Sequence, residues 1–147
     1  MTAERYVAPG KATLLFNRVV AGLTRLGISV AGSRELAVRG RTSGTTRRVP
    51  VNVLTFEGER YLVAPRGQTQ WVKNLRVAGT GELRVGRRTE TVTATELADA
   101  DKPPVIREYL RRWAWEVKAF LDNVDKDSPE NRLLEVAPGL PVFRLDR

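Results

Sequence analysis

The chain has 147 residues, 41% of them apolar and 29% charged, with a formal net charge of +8 and neither cysteine nor histidine. This is a globular rather than a disordered composition, and it excludes disulfide frameworks, Cys/His zinc sites and Ser-His-Asp or Cys-His nucleophilic pairs. The positive charge favours an anionic partner (nucleic acid, a lipid head group or a phosphorylated cofactor), and without the side chain that most readily moves protons near neutral pH, hard chemistry would fall to a bound cofactor.

No apolar run approaches the roughly 20 residues of a membrane span. Met1–Gly10 lacks the basic segment, apolar stretch and cleavage site of a secretory signal, so a cytoplasmic location is expected. From Lys11 to Leu26, Leu15, Val19, Leu23 and Leu26 recur at helical spacing, which predicts an amphipathic helix ended by Gly27. The period then changes. Leu36–Arg39, Val49–Thr55, Arg60–Ala64, Glu82–Gly86, Glu90–Glu96 and Pro141–Leu145 read as short strands rich in Val, Thr or Leu, with hairpin turns at Phe56–Glu59 and Gly86–Arg88. Gln68–Ala78 reads as a helix closed by Gly79. A second helix, about Val105–Leu121, comes after Pro103 and Pro104, which a helix start tolerates because those N–H groups lack partners anyway. Asp122–Glu130 reads as a polar loop. Strands and helices do not alternate regularly, so the pattern predicts one α+β domain over 1–147, with a small antiparallel barrel at about 36–145 and helices packed outside it.

The most informative stretch runs from Gly40 to Val51, between two predicted strands: Gly40-Arg41-Thr42-Ser43-Gly44-Thr45-Thr46-Arg47-Arg48-Val49-Pro50-Val51. Glycines permit close backbone approach, hydroxyls donate hydrogen bonds, and arginine makes charge-assisted, bidentate contacts with phosphate. A solvated hairpin loop with incidental arginines has the same composition. The stretch is not a G-x-x-x-x-G-K-[ST] loop, and Gly79-Thr80-Gly81 lacks the third glycine of a dinucleotide fingerprint.

The pattern Gly40-Arg41-x-Ser43-Gly44-x-x-Arg47-x-x-Pro50-Val51 resembles the signature of the deazaflavin (F420)-dependent nitroreductase family. The segments C-terminal to it match that family in order: Val63-Ala64, the loop Pro65-Arg66-Gly67, then Gln70-Trp71-Val72-Lys73-Asn74-Leu75, Ala78-Gly79, and the closing Pro141–Leu145. The resemblance spans Leu36 to Leu145 and implies a split β-barrel binding coenzyme F420, with hydride passed to a small-molecule acceptor such as a quinone or nitro compound. It implies that Arg41, Ser43 and Arg47 hold the phosphate and acidic tail, assisted by Thr42 and the Gly44 backbone. Ala64, Pro65, Arg66 and Gly67 would run beside the ring system, with Gln70, Trp71 and Asn74 on the flanking helix and Pro50 and Val51 on the strand beneath. F420 is polyanionic, as the net charge suits, and it carries hydride itself, as a chain without histidine or cysteine requires. Two departures stand out. Relatives often have lysine where this chain has Thr42, a charge that Arg48 or Arg66 would then supply. Phe120, Asn123 and Val124 stand where nitroimidazole-reducing members have tyrosines, which leaves the acceptor open.

Alternatives remain at this level. Flavin mononucleotide is held by comparable basic loops in related split barrels, and the same barrel can sequester a cofactor or fatty acyl ligand without turnover. Nucleic-acid binding is not expected, because the basic residues are scattered along the chain. Tyr109 and Trp113 recur at helical spacing and read either as core or as a substrate pocket wall. The basic helix carrying Trp113 and Trp115 also suits peripheral contact with an anionic membrane. Both monomer and homodimer are compatible with the sequence.

Overall fold

The computed structural model describes residues 33–117 and 124–147. The expected N-terminal helix and the end of the helix expected to reach Leu121 lie outside the described residues. Six strands form: β1 (Ser33–Arg39), β2 (Thr46–Phe56), β3 (Glu59–Val63), β4 (Thr80–Val85), β5 (Arg88–Glu96) and β6 (Val142–Asp146). They close into a barrel in the order β1-β2-β3-β6-β5-β4, every pairing antiparallel, with β4 returning to β1. Closure gives every strand two neighbours in the order. β2 makes it possible by serving two neighbours in succession, pairing with β1 over Thr46–Asn52 and with β3 over Val53–Phe56.

The strands read as strands because their side chains alternate between two apolar environments. Leu36, Val38, Val51, Leu62, Phe143 and Leu145 share one buried cluster inside the barrel. Leu54, Val63 and Val142, one residue out of phase, enter a second cluster outside it. That outer cluster is completed by α2 (Pro103–Val117) and α3 (Glu130–Val136), through Val105, Ile106, Tyr109, Leu110, Trp113 and Leu133. Helix α1 (Gln70–Ala78) instead sends Val72 and Leu75, both fully buried, into the interior cluster with half-buried Trp71 against it, and so covers the barrel's core from the side of β1, β4 and β5.

Most element boundaries lie one to three residues from those the sequence predicts, and one helix is additional. Helix α2 begins at Pro103, and both prolines lie inside its first turn. Helix α3, directly after Pro129, was not expected. It is a seven-residue helix that fully buries one residue, Leu133, so its periodic signal is short.

At the barrel wall Arg60 on β3 makes a two-pronged ion pair with Glu90 on β5 across β6, at 2.7 and 3.2 Å, and Arg147 Nε lies 2.6 Å from the same carboxylate. The Arg60 hydrogen bond holds the Glu90 carboxyl below its ordinary value of 4.5. A lowered folded-state pKa gives stability that is present above the unfolded value and lost as pH falls through the folded one. Glu90→Gln is therefore expected to lower the urea midpoint at about pH 7 and to match wild type at about pH 2, where the carboxyl is protonated in both folded and unfolded chains. An undiminished gap at the acid end would show that the carboxylate's charge is not what matters.

Candidate cofactor site

The turn joining β1 to β2 is built by its glycines and serine. Gly40 N–H donates to Thr45 O at 2.8 Å, Gly44 N–H donates to Gly40 O at 3.0 Å, and Thr45 N–H donates to Ser43 Oγ at 3.1 Å. Gly44 sits at φ +73°, where other residues are strained, and a Cβ on Gly40 would come within 3.0 Å of both Ser43 Oγ and Thr45 O. Ser43 thus shapes the turn through its oxygen and keeps its hydroxyl proton to donate. Thr42, Ser43 and Gly44 are exposed.

Arg41 fastens this turn to α1. Its backbone N–H and its Nη1 both donate to Asn74 Oδ1, at 3.1 and 2.7 Å, and its Nη2 donates to Gln70 Oε1 at 3.0 Å. Gln70 and Asn74 are four residues apart on α1 and so share one flank of the helix. Asn74 is only 4% exposed. Three residues singled out by the motif, which lie 29 and 33 positions apart along the chain, are therefore in direct contact.

The remaining arginines divide. Arg47 is exposed and runs beside Gly40, its Cγ 3.9 Å from where a Cβ there would stand. The guanidinium of Arg39, which the sequence marks only as the end of a strand, lies over Gly44, with Nη2 3.5 Å from the corresponding Cβ position. Arg48 was expected to offset the missing lysine at position 42, but it leaves the opposite side of β2 from Arg47 and faces the buried Glu35 carboxylate at 3.4 Å. Arg66 is half-buried in the loop before α1.

That loop is tightly wound. Ala64 N–H donates to Pro141 O, Gly67 N–H to Ala64 O, and Thr69 N–H to Gly67 O. Ala64 and Gly67 are buried, and Pro65 and Arg66 half-buried. The loop delivers the start of α1 without a side-chain cap and without an acidic residue in the first turn, leaving the helix's positive end electrically uncompensated by its own residues. Thr69, 7% exposed, has its Oγ1 enclosed with no hydrogen-bond partner. An unsatisfied buried hydroxyl costs roughly 1–3 kcal/mol, and no sequence signal pointed to it. Trp71 is half-buried with its ring 6.3 Å from that of Phe143. Pro50 and Val51 are neighbours on one strand: Val51 belongs to the barrel interior and Pro50 pairs beside Glu35 on the outer face, so the two do not present one surface.

Tyr109 and Trp113 are core residues in this structure, 3% and 1% exposed, with their rings 5.1 Å apart in the outer cluster. Their burial there suits packing against the barrel, across a kink of α2 at Trp113 (φ −129°, ψ 23°). Arg112 lies 4.7 Å from the Trp113 ring centroid, and an enclosed Trp113 cannot enter a membrane interface. No helix among the described residues is long and apolar enough to cross a membrane.

A polar cleft of about 470 Å³ opens on the other flank of α1, lined by Gln68, Arg76, Glu96, Lys102 and their neighbours. Its charges are already matched. Arg76 makes two 2.7 Å bonds to Glu96, which raise the guanidinium's pKa, and buried Lys102 contacts Asp99 at 2.7 Å and Ala137 O at 2.9 Å. At the β1–β2 turn, by contrast, Arg39 and Arg47 make no ion pair with a described residue.

A family model described as F420H(2)-dependent quinone reductase matches residues 18–127, three quarters of the chain. The chain belongs to that family. It is an F420-dependent reductase, with coenzyme F420 as its cofactor. The residues present fit such a group: exposed guanidiniums at a turn, an uncapped helix start, and an orphaned hydroxyl between them in sequence. Solved structures show the same fold at low identity. One described as a domain-swapped dimer has TM-score 0.55 at 18% identity and covers 92% of this chain and 96% of its own. The F420-H2 dependent reductase FDR-A has TM-score 0.52 at 19% identity, covering 78% and 94%. Atu2129 of Agrobacterium tumefaciens, a protein of unknown function, has TM-score 0.54 at 16% identity, covering 97% and 58%. None of the curated proteins matches.

Replacing Asn74 with alanine leaves the Arg41 N–H and guanidinium without their shared acceptor. The variant is expected to lose about 1–3 kcal/mol of unfolding free energy by urea denaturation; a loss below about 0.3 kcal/mol would mean that the turn holds without this contact.

Proposed function

We propose that the chain holds reduced F420 across the β1–β2 turn and the loop before α1, and transfers hydride to a quinone, nitro compound or similar planar acceptor. The observation that carries this reading is the three-way contact of Arg41, Asn74 and Gln70, which sets the basic turn beside the start of α1. The phosphate and acidic tail would lie at Arg41, Thr42, Ser43, Gly44 and Arg47. The ring system would run along Ala64, Pro65, Arg66 and Gly67, with Trp71 beside it and Pro50 or Val51 at the strand.

When bound, the reduced cofactor supplies the hydride, while protons reach the acceptor from solvent or a nearby hydroxyl or carboxylic acid. The chain's own part is binding and orientation. Guanidiniums neutralise the anionic end, the glycine turn admits it closely, and Trp71, braced on Phe143, offers an apolar wall that keeps water from one side. Fixing donor and acceptor in reacting geometry is a sufficient catalytic device when no side-chain acid or base is required at neutral pH. The whole chain would act as one unit, as a monomer or homodimer; the neighbour described as a domain-swapped dimer supports the latter.

The test is a fluorescence titration with F420 and, separately, flavin mononucleotide, followed by turnover on a panel of quinones and nitroaromatics. Tight F420 binding with reduction of at least one acceptor class is expected. Arg41→Ala/Arg47→Ala should weaken F420 by about tenfold or more, by removing the Arg47 charge and the Arg41 anchor of the turn. Tight flavin binding alone would overturn the cofactor reading, and F420 binding without any turnover would favour a sequestering protein.

A further inference from the structure

The arginines around the turn are not equivalent. Arg41 already donates from both terminal nitrogens, Nη1 to Asn74 Oδ1 at 2.7 Å and Nη2 to Gln70 Oε1 at 3.0 Å, and its backbone N–H is bound to the same Asn74 oxygen. Arg48 has Glu35. Arg39 and Arg47 make no ion pair or hydrogen bond with a described residue through their side chains.

Strand register says where these two side chains go. Directly opposed residues of an antiparallel pair face the same side. Arg39 is paired with Thr46, and Arg47 with Val38, whose side chain enters the barrel interior. Arg39 and Arg47 thus leave opposite faces of the same ribbon end, and the turn lies between them: the Arg39 guanidinium over Gly44, the Arg47 stem along Gly40. Two exposed like charges flanking a glycine turn, with no carboxylate among the described residues paired to either, make an arrangement that an anion stabilises and that nothing in the fold requires.

Resting on the cofactor reading above, we infer that Arg39 is a ligand-binding residue. With Arg47 it contacts anionic groups of the cofactor from the two sides of the turn, while Arg41 is a positioning residue that acts through Asn74 and Gln70. The chemistry recognised is that of a phosphodiester and of carboxylates spaced along a flexible chain. An extended polyanion laid over the turn meets both faces of the ribbon. Planar guanidinium forks suit both oxygen groups.

The experiment titrates wild type, Arg39→Gln, Arg47→Gln and Arg41→Gln with intact F420 and with the same chromophore stripped of phosphate and tail, at low and high salt, and records thermal midpoints without ligand. Arg39→Gln is expected to weaken intact F420 about five- to tenfold at low salt, to flatten the salt dependence, and to leave both the stripped chromophore and the ligand-free midpoint unchanged. Arg41→Gln is expected to lower the ligand-free midpoint as well as affinity, and to be no worse when combined with Asn74→Ala than either alone. Should glutamine at 39 disturb the strand, Arg39→Lys serves instead, with a smaller loss at low salt. A titration of Arg39→Gln that superimposes on wild type overturns the assignment of Arg39. Equal loss for the stripped chromophore overturns the anionic contact. Lost affinity in Arg41→Gln with an unmoved midpoint overturns its positioning role. Failure of wild type to bind F420 at all overturns the cofactor reading itself and is thereby distinguished from these.

Discussion

One amide oxygen holds the candidate site together. Asn74 Oδ1, nearly enclosed, receives two N–H groups from Arg41, a residue 33 positions earlier. A surface hydrogen bond of this type would contribute little, but here the acceptor is withdrawn from water and its donor is charged, so leaving either side unmade is costly. The bond also fixes geometry. It joins a turn at the end of one hairpin to a helix whose apolar side is sunk into the barrel core through Val72 and Leu75. The turn therefore inherits the rigidity of the barrel. A flexible basic loop could attract an anion, whereas a docked one can hold it in a defined position relative to α1.

Charge alone would not have located this site, because the molecule carries positive groups on several surfaces. Some of these groups are compensated. Arg76 and Lys102 in the cleft have carboxylate partners, Arg60 and Arg147 share Glu90, and Arg111 is held by Glu108. At the β1–β2 turn the nearest carboxylate of the ribbon, Glu35, is buried and faces Arg48. Exposed, uncompensated guanidiniums, an uncapped helix start and the orphaned Thr69 hydroxyl all occur within residues 39–70. Together they make a cationic, donor-rich region that suits an anion.

The barrel was legible because period-2 alternation survives when both faces of a strand meet apolar clusters that are out of phase, as with Leu62 and Val63. Helix α1 was legible from its stop at Gly79. Position within an element was not. Helical spacing announces that Tyr109 and Trp113 share a face, yet the direction of that face depends on packing against Leu54, Val63 and Leu133, which are distant in sequence. Pro50 and Val51 read as a pair in the sequence, though adjacent strand residues face opposite ways. Helix α3 escaped notice because it is shorter than a periodic signal needs. Thr69 could not have been found, since an absent hydrogen-bond partner is a property of three dimensions only. Arg39 was hidden differently: as the last residue of a strand pattern it looked like punctuation, and only the register that sets it opposite Thr46 brings it to the turn.

Register also bears on the departure at Thr42, where the resembling family often carries lysine. Within a tight turn, one step in sequence changes direction as much as one step along a strand, so a lost charge need not be replaced by its nearest neighbour. Arg48, six residues on, emerges on the other side of the strand and is already engaged with Glu35. Arg39 is three residues away, yet the reversal of the chain between Gly40 and Thr45 folds its guanidinium back over Gly44. A basic group moved from the tip of the turn to the strand that supports it keeps the local charge and changes the direction from which an anion is approached. On that view the two glycines matter as much as the arginines. By keeping the turn free of side chains they leave room for charges borne on the flanking strands to meet a ligand over it.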